Sequence, residues 1–412
     1  MAPRRTRYIL LALAVALGTL LLLRHEDVRE QWEALPPLPI QDFKQFKDLI
    51  LQNKEQSSKE AEHTESTAIY STSFKPGIPK TTGNYTRTIV VPRLKKEDTS
   101  WLDEEFPDTR KAVYVVDDKN APLHPPKNKG NEAMVYLSYI IDHYDHLAET
   151  NIFIHAHRWT WHNNDLFNTD TAMTIRHLSD ARVAREGYMN LRCMFYPGCP
   201  AWMRLNAKEE VEEKKEEMLV AKSWKELFPN DAMPDILGQP CCSQFAVSGE
   251  RIRAIPLDEY KRIRNWLIRT RLSNSMSGRV FEYLWHYLWT GKNVLCPAMH
   301  ECYCDGFGAC FKNEDEFQQW FKVRFEVKRD EEEMNAWILA EDKYTDLMKQ
   351  GNPRAAALVE RPPEGKVREL KLSIDERWFM LDEGRDTALR NGLDLEWRAR
   401  VRNGAEKAGD GF

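Results

Sequence analysis

Lys111-Ala112-Val113-Tyr114-Val115-Val116-Asp117-Asp118 opens the stretch that decides the fold of this chain, and Asn151-Ile152-Phe153-Ile154-His155-Ala156-His157 closes it. Each is a short apolar run rich in β-branched and aromatic residues, so each reads as a buried strand. Between them a loop ends Lys127-Asn128-Lys129-Gly130, and a helical pattern follows. Ala133, Met134, Leu137, Ile140, Ile141 and Tyr144 recur at the spacing that lines one face of an α-helix. Strand, helix, strand predicts parallel pairing through a right-handed crossover. Both runs end in polar residues, and open α/β sheets bind ligands where their strands end. The expectation is an α/β domain with a mostly parallel sheet, flanking helices and an enzyme-like strand edge.

Working outward, Thr88-Ile89-Val90-Val91 reads as a further buried strand and marks where the folded part begins. A short helix capped near Asp98 or Thr99 would bury Trp101 and Leu102. Residues 207–226 mix both charges densely, the pattern of a solvated surface helix. A second aromatic helix runs from about Gly278 to Trp289, with Val280, Phe281, Leu284 and Leu288 as its buried stripe. After Cys310 the chain is charged and helical in character, broken at Pro362-Pro363. These shifts divide the folded part into an α/β domain, residues 88–310, and a charged helical C-terminal extension, residues 311–412.

The N-terminus reads as a targeting segment. Residues 8–23 form an uncharged apolar run, preceded by Arg4, Arg5 and Arg7. The positive charge before it places residues 1–7 in the cytosol and the bulk of the chain across the membrane. Sixteen residues rise about 24 Å as a helix, slightly short for a bilayer core and suited to thinner membranes. The alternative is a cleaved signal peptide, although no clean small-x-small site follows before Arg24. Residues 24–87, with scattered prolines and a Ser/Thr-rich patch, read as a flexible stem. The expected location is the Golgi or endoplasmic reticulum membrane, single-pass and type II, with the bulk of the chain lumenal.

Composition narrows the chemistry. At 42% hydrophobic residues the 412-residue chain can bury a sizeable core, and a net charge of −5 gives no reason to expect nucleic acid binding. All eight cysteines fall between Cys193 and Cys310, an even number that suits disulfides in an oxidising compartment. The spacing Cys296-x5-Cys302-x-Cys304-x5-Cys310 could in principle bind zinc, but it lacks paired C-x-x-C spacing. Cys241 and Cys242 are expected to pair with different partners, since a bond between neighbours is strained. Asn84-Tyr85-Thr86 is the N-glycosylation sequon.

Four groups of residues could carry chemistry. Asp117 and Asp118 could hold a divalent cation, Mn2+ or Mg2+, that neutralises a pyrophosphate leaving group; the alternative is a turn cap beside a solvated acid. Lys127, Lys129 and Gly130 open a helix and suit a phosphate, although Glu132 in its first turn would repel an anion. His155, His157 and His162 alternate with Trp159 and Trp161, an arrangement fit for a sugar or base, or for a metal. Glu282 and His286 share a helix face and could act as general base and orienting partner.

Several motifs together resemble a known family. They are Val115-Val116-Asp117-Asp118, Asn128-Lys129-Gly130-x-Glu132-Ala133, Phe153-Ile154-His155-x-His157, Cys242-x-Gln244-Phe245-x-Val247-Ser248, Gly278-Arg279-x-x-Glu282-x-x-Trp285-His286 and Cys302-Tyr303-Cys304-Asp305. The chain resembles the fungal family of uncharacterised type II membrane proteins defined by a domain of unknown function, over about residues 88–310. A looser similarity is to nucleotide-sugar glycosyltransferases of the two-layer α/β type, in which an acidic D-x-D pair binds metal; here the pair is adjacent. That similarity implies a glycosyltransferase-A-like fold and transfer of a sugar from a nucleotide-sugar to a glycan or glycoconjugate hydroxyl. Asp117 and Asp118 would hold the cation, and Lys127 and Lys129 would meet the phosphates. His155, His157 and Trp161 would line the sugar, and Glu282 or His286 would deprotonate the acceptor. Two other classes stay open: a metal-dependent lumenal hydrolase centred on His155, His157 and His162, and a non-catalytic lumenal binding protein.

Overall fold

A computed structural model describes residues 42–61, 74–207 and 216–401. The expected cytosolic tail and membrane anchor, residues 1–23, and residues 24–41 and 62–73 of the expected stem lie outside the described residues. Among the described residues no helix is long and apolar enough to cross a membrane.

Seven strands and fourteen α-helices are described. The strands are β1 (Arg87–Arg93), β2 (Arg110–Val115), β3 (Thr150–Phe153), β4 (Tyr188–Asn190), β5 (Met203–Arg204), β6 (Ile236–Leu237) and β7 (Phe245–Ser248). The helices are α1 (Phe43–Ala61), α2 (Trp101–Glu105), α3 (Ala133–His143), α4 (Thr171–His177), α5 (Asp180–Glu186), α6 (Glu216–Leu227) and α7 (Gly249–Arg253). They continue as α8 (Leu257–Arg269), α9 (Asn274–Thr290), α10 (Met299–Phe307), α11 (Glu314–Lys349), α12 (Pro353–Ala356), α13 (Lys366–Asn391) and α14 (Leu395–Val401). The central sheet has the order β2-β1-β3-β7-β4. Strand β1 pairs in parallel with β2 and β3, whereas β7 runs antiparallel to both β3 and β4. The sheet is therefore mixed, which corrects the expectation of a mostly parallel one. Hydrophobic periodicity identifies a strand but carries no direction. The strands whose direction a short crossover fixes were those that sequence could orient.

Alternation along the strands divides the interior in two, because successive side chains point to opposite faces. Ile89, Val91, Ile152, Ile154 and Ala246 enter one core; Val90, Phe153, Phe245 and Val247 enter the other. The second core is aromatic and is closed by α3, α8 and α9. There Trp285 stacks on Trp289 at 5.2 Å, and Phe245 lies within 5.4 Å of both rings. The predicted stripe on α9, Val280, Phe281, Leu284 and Leu288, is buried, and Trp285, His286 and Trp289 are buried too. Helix α2 forms where expected and buries Trp101 and Leu102. Helix α6 turns Val220, Trp224 and Leu227 inward, so this described part of the charged segment packs on the core along one face.

The first core reaches beyond the expected domain limits. Phe317, Trp320, Phe321 and Val327 of α11 and Ile374, Leu381 and Ala388 of α13 join it, and Trp320 donates through Nε1 to the Leu381 carbonyl at 2.9 Å. Helix α1 falls inside the stretch read as stem. It buries Phe46 against α11, with the Phe46 and Phe321 rings 4.9 Å apart. The described part of 74–87 is also fastened: Gly77 donates its N–H to the Arg185 carbonyl at 2.9 Å, and the Arg251 guanidinium lies 4.5 Å from the Phe74 ring. Tertiary contacts supply partners for segments whose own pattern predicts little structure.

Four disulfides join Cys193 to Cys302, Cys199 to Cys296, Cys241 to Cys242 and Cys304 to Cys310. The third corrects the expectation that Cys241 and Cys242 take different partners. Cys242 (φ +93°) and Ser243 (φ +52°) both occupy left-handed backbone, in the turn that closes the two neighbouring side chains into one bond.

Candidate functional site

Strand β1 pairs with β2 on one side and β3 on the other, and α3 carries the chain from β2 to β3. The carboxyl ends of these parallel strands share one edge, where open α/β sheets bind ligands. The antiparallel strand β7 begins at the same edge. Chain direction therefore brings Cys241-Cys242-Ser243-Gln244 beside the His155 end of β3.

Gln244 organises that edge. Its Oε1 accepts the His155 backbone N–H at 3.0 Å, and its Nε2 donates to Asn163 Oδ1 at 2.8 Å. Asn163 donates in turn to the Thr169 carbonyl at 2.7 Å and to Thr171 Oγ1 at 2.8 Å, which fixes the loop carrying the tryptophans. Trp101 Nε1 donates to the Ala156 carbonyl at 2.9 Å and holds the strand exit from the other side. These partners are buried, so each satisfied amide rigidifies the edge.

Two imidazoles stand at this edge. His155 Nε2 donates to the Cys242 carbonyl at 2.8 Å, and the His155 and His162 rings lie 4.9 Å apart. Trp161 follows at 4.4 Å from His162. The buried Arg192 guanidinium donates to the Trp161 carbonyl from beneath. Burial pushes His155 down to about 4 and His162 down to about 2. Both rings are therefore neutral at physiological pH and serve as hydrogen-bonding walls, not as cations. His157 points away, exposed, with Nε2 3.6 Å from Glu97 Oε1.

Two carboxyls complete the site. Glu282 projects from α9, and its Oε1 accepts the Cys242 N–H at 3.2 Å. Glu132 immediately precedes α3. Burial raises Glu282 to about 7, helped by the neighbouring Glu132 charge, and burial raises Glu132 to about 7 as well. Each residue keeps a part of its surface exposed. Two buried hydroxyls lie beside Glu132: Ser243 hydrogen-bonds its carboxyl, which opposes the rise, and Tyr136 Oη has no hydrogen-bond partner among the described residues. Pairs of carboxyls with raised affinity for protons mark sites of acid–base work.

Close packing holds Glu132 in place. Gly278 lies on α9 one turn before Glu282, and a Cβ there would meet Asn131 Nδ2 at 2.6 Å. Asn131 itself has φ +50° and donates its N–H to Asn274 Oδ1 at 3.1 Å. Gly278→Ala is therefore expected to push Asn131 and Glu132 away from α9. It should cost about 1–3 kcal/mol, the usual range for overpacking, read as a lower denaturation midpoint.

The other sequence candidates lie apart from this cluster. Asp118 pairs with Lys95 Nζ at 3.0 Å and accepts the Asn120 N–H at 2.9 Å, while Asp117 accepts the Lys95 N–H at 2.8 Å. These carboxylates serve a surface turn and do not converge as a free donor set for Mn2+ or Mg2+. Asp118→Asn is expected to leave the denaturation midpoint unchanged, as for most exposed ion pairs. Lys127 and Lys129 donate to the Ile268 and Thr270 carbonyls at the end of α8, the carbonyl-rich end that favours cations. Gly130 has φ +72° and packs against Leu267. His286 is fully buried, its Nε2 donating to the Asn293 carbonyl at 2.9 Å. It thus shares a helix with Glu282 but faces the core.

Among the described residues, Cys241, Cys242 and Glu282 form a group compact enough for a metal ion, with ligand atoms within 4.8 Å of one another. Both sulfurs are consumed in a disulfide, and metal binding needs thiolate. Surface grooves of about 560 and 680 Å³ lie elsewhere, one beside Trp266 and one between α1 and α11. The sequence read Glu132 as a first-turn acid that would repel an anion and as part of a family motif, and it offered Ser243 and Tyr136 no role. The available signal was Gly278 one turn before Glu282, a small residue where α9 approaches another segment.

No curated protein and no solved structure matches this chain. Residues 89–305 match the family described as "Protein of unknown function (DUF3431)". That span covers more than half of the chain and contains most of β1, all of β2 to β7, both carboxyls and the Cys241–Cys242 bond, so the protein belongs to the DUF3431 family.

Proposed function

We propose that this protein transfers a sugar from a nucleotide-sugar donor to a hydroxyl acceptor, with Glu282 as the general base. The observation that carries the reading is the Glu132–Glu282 pair, held near neutrality at the sheet edge where α/β enzymes bind ligands. A carboxyl at about 7 is matched to taking a proton from a hydroxyl at physiological pH. The acceptor oxygen would attack the anomeric carbon, the bond to the diphosphate would break, and the acceptor proton would pass to Glu282. The Glu132 carboxylate beside it would raise the affinity of Glu282 for that proton. Trp161, His155 and His162 offer flat, neutral rings for a sugar face.

Four disulfides fit a secreted or lumenal protein, and in this reading the chain works in the Golgi or endoplasmic reticulum behind its N-terminal anchor. No step is routed through a cation, because Lys95 engages Asp117 and Asp118. The test incubates purified full-length protein with UDP- and GDP-sugars, with and without Mn2+, and measures nucleotide release. Turnover lost in Glu282→Gln supports the reading. Strict Mn2+ dependence lost in Asp117→Ala would return the acidic pair to the mechanism. Absence of nucleotide-sugar binding by calorimetry in the presence of Mn2+ overturns it.

A further inference from the structure

Cys242 is hydrogen-bonded through its backbone to both Glu282 and His155. Its N–H donates to Glu282 Oε1 at 3.2 Å, and its carbonyl accepts from His155 Nε2 at 2.8 Å. Its sulfur lies with that of Cys241 within 4.8 Å of the Glu282 carboxylate. Both Cys242 and Ser243 hold left-handed backbone, at φ +93° and +52°, which non-glycine residues keep only when the surroundings over-determine it. The closed ring of the Cys241–Cys242 bond supplies that constraint, and the next residue, Gln244, anchors the turn to His155.

We propose that the Cys241–Cys242 disulfide is a redox-sensitive positioning element: it fixes the Cys242 peptide between His155 and Glu282, and a dithiol that opens it releases both. In the opening step a thiolate of the dithiol attacks one cysteine sulfur, and the S–S bond breaks. The second thiol of the reductant then resolves the mixed disulfide. Two electrons and two protons pass from the dithiol to Cys241 and Cys242, and the reductant leaves as its own disulfide. Without the ring, Cys242 relaxes toward negative φ. Its N–H then turns away from Glu282 and its carbonyl away from His155. The oxidised state is the competent one, as suits a protein of an oxidising compartment. The inference rests on the acid–base reading of Glu282, but its test reads geometry and not turnover, so the two can fail separately.

The probe is the His155 ring. In the oxidised protein the Cys242 carbonyl locks it as the neutral Nε2–H tautomer. Full-length protein labelled with 15N-histidine, with His155→Gln for assignment, should show that tautomer. Treatment with dithiothreitol, or the double variant Cys241→Ser/Cys242→Ser, should convert the signal to the tautomer mixture of an unheld imidazole. Reoxidation of the treated protein should restore it. Mass mapping must find thiols at positions 241 and 242 with the other three disulfides intact. An unchanged His155 signal under those conditions overturns the proposal. Global unfolding on opening this bond alone also overturns it, because the bond would then hold the fold and not the site. Nucleotide-sugar turnover lost in parallel with the tautomer, and regained with it, would extend the control to catalysis.

Discussion

Glu282→Gln is expected to lower nucleotide-sugar turnover by roughly 10²- to 10⁴-fold, the usual contribution of a positioned general base. Glutamine keeps the shape and the acceptor oxygen for the Cys242 N–H, so the fold should persist while the proton acceptor is lost. The pH profile gives an independent check. A base at about 7 is productive only when ionised, so wild-type rate should rise with pH through a midpoint near 7. That midpoint belongs to the Glu132–Glu282 pair and not to one carboxyl. Stability should run the opposite way. Both folded carboxyls are raised above the ordinary glutamate value of 4.5, so the native state binds more protons than the unfolded chain between about 4.5 and 7. Stability is then fullest below that window and declines as pH rises through it. Glu282→Gln should flatten the decline, which chemical denaturation at several pH values would reveal. A turnover profile that is flat from pH 5 to 8 would remove Glu282 from the base role.

Breaking the Cys193–Cys302 bond should have the largest effect on stability. It spans 109 residues and ties β4's exit to α10, with both sulfurs in the first core. The nested Cys199–Cys296 bond stays closed, so the loop that this bond adds to the unfolded chain is about 6 residues on each side, and the chain-entropy model gives about 3 kcal/mol. Cys193→Ala/Cys302→Ala should therefore lose about that much in urea denaturation. The Cys304–Cys310 bond closes a separation of only 6 and should contribute about 2 kcal/mol on the same model. Equal losses from the two double variants would show that native-state packing, not loop closure, sets the value. Neither bond touches Glu282, so at temperatures where the variants stay folded the chemistry at Glu282 should survive.

Much of the architecture was legible in short stretches. The runs at Ile89, Ala112 and Ile152 became β1, β2 and β3, and the 3.6-residue spacing after Ala133 became α3. These signals are local: a strand or helix advertises its buried face within a few residues. Direction in the sheet was not local, and β7 and β4 proved antiparallel. Nor was the fate of α1, whose Phe46 is buried only because α11 lies against it. Polar groups at strand ends were the least legible. Asp117 and Asp118 looked like a metal pair in sequence, but Lys95 from the neighbouring strand exit takes both. His286 looked like a partner for Glu282, but its side of α9 faces the core.

The sequence by itself determined an α/β domain with disulfide-forming cysteines, and it identified Glu282, His155 and Trp161 as candidates. It could do so because periodicity, residue type and spacing report on burial and chemistry one element at a time. Only the tertiary structure decided that Glu132 joins Glu282, and that Cys241 bonds to its own neighbour. It also decided that the Cys242 peptide stands between the carboxyl and the His155 ring. Those partners come from β3, β7, α3 and α9, and their meeting is set by sheet order and by the close approach at Gly278. No local pattern in the chain records either.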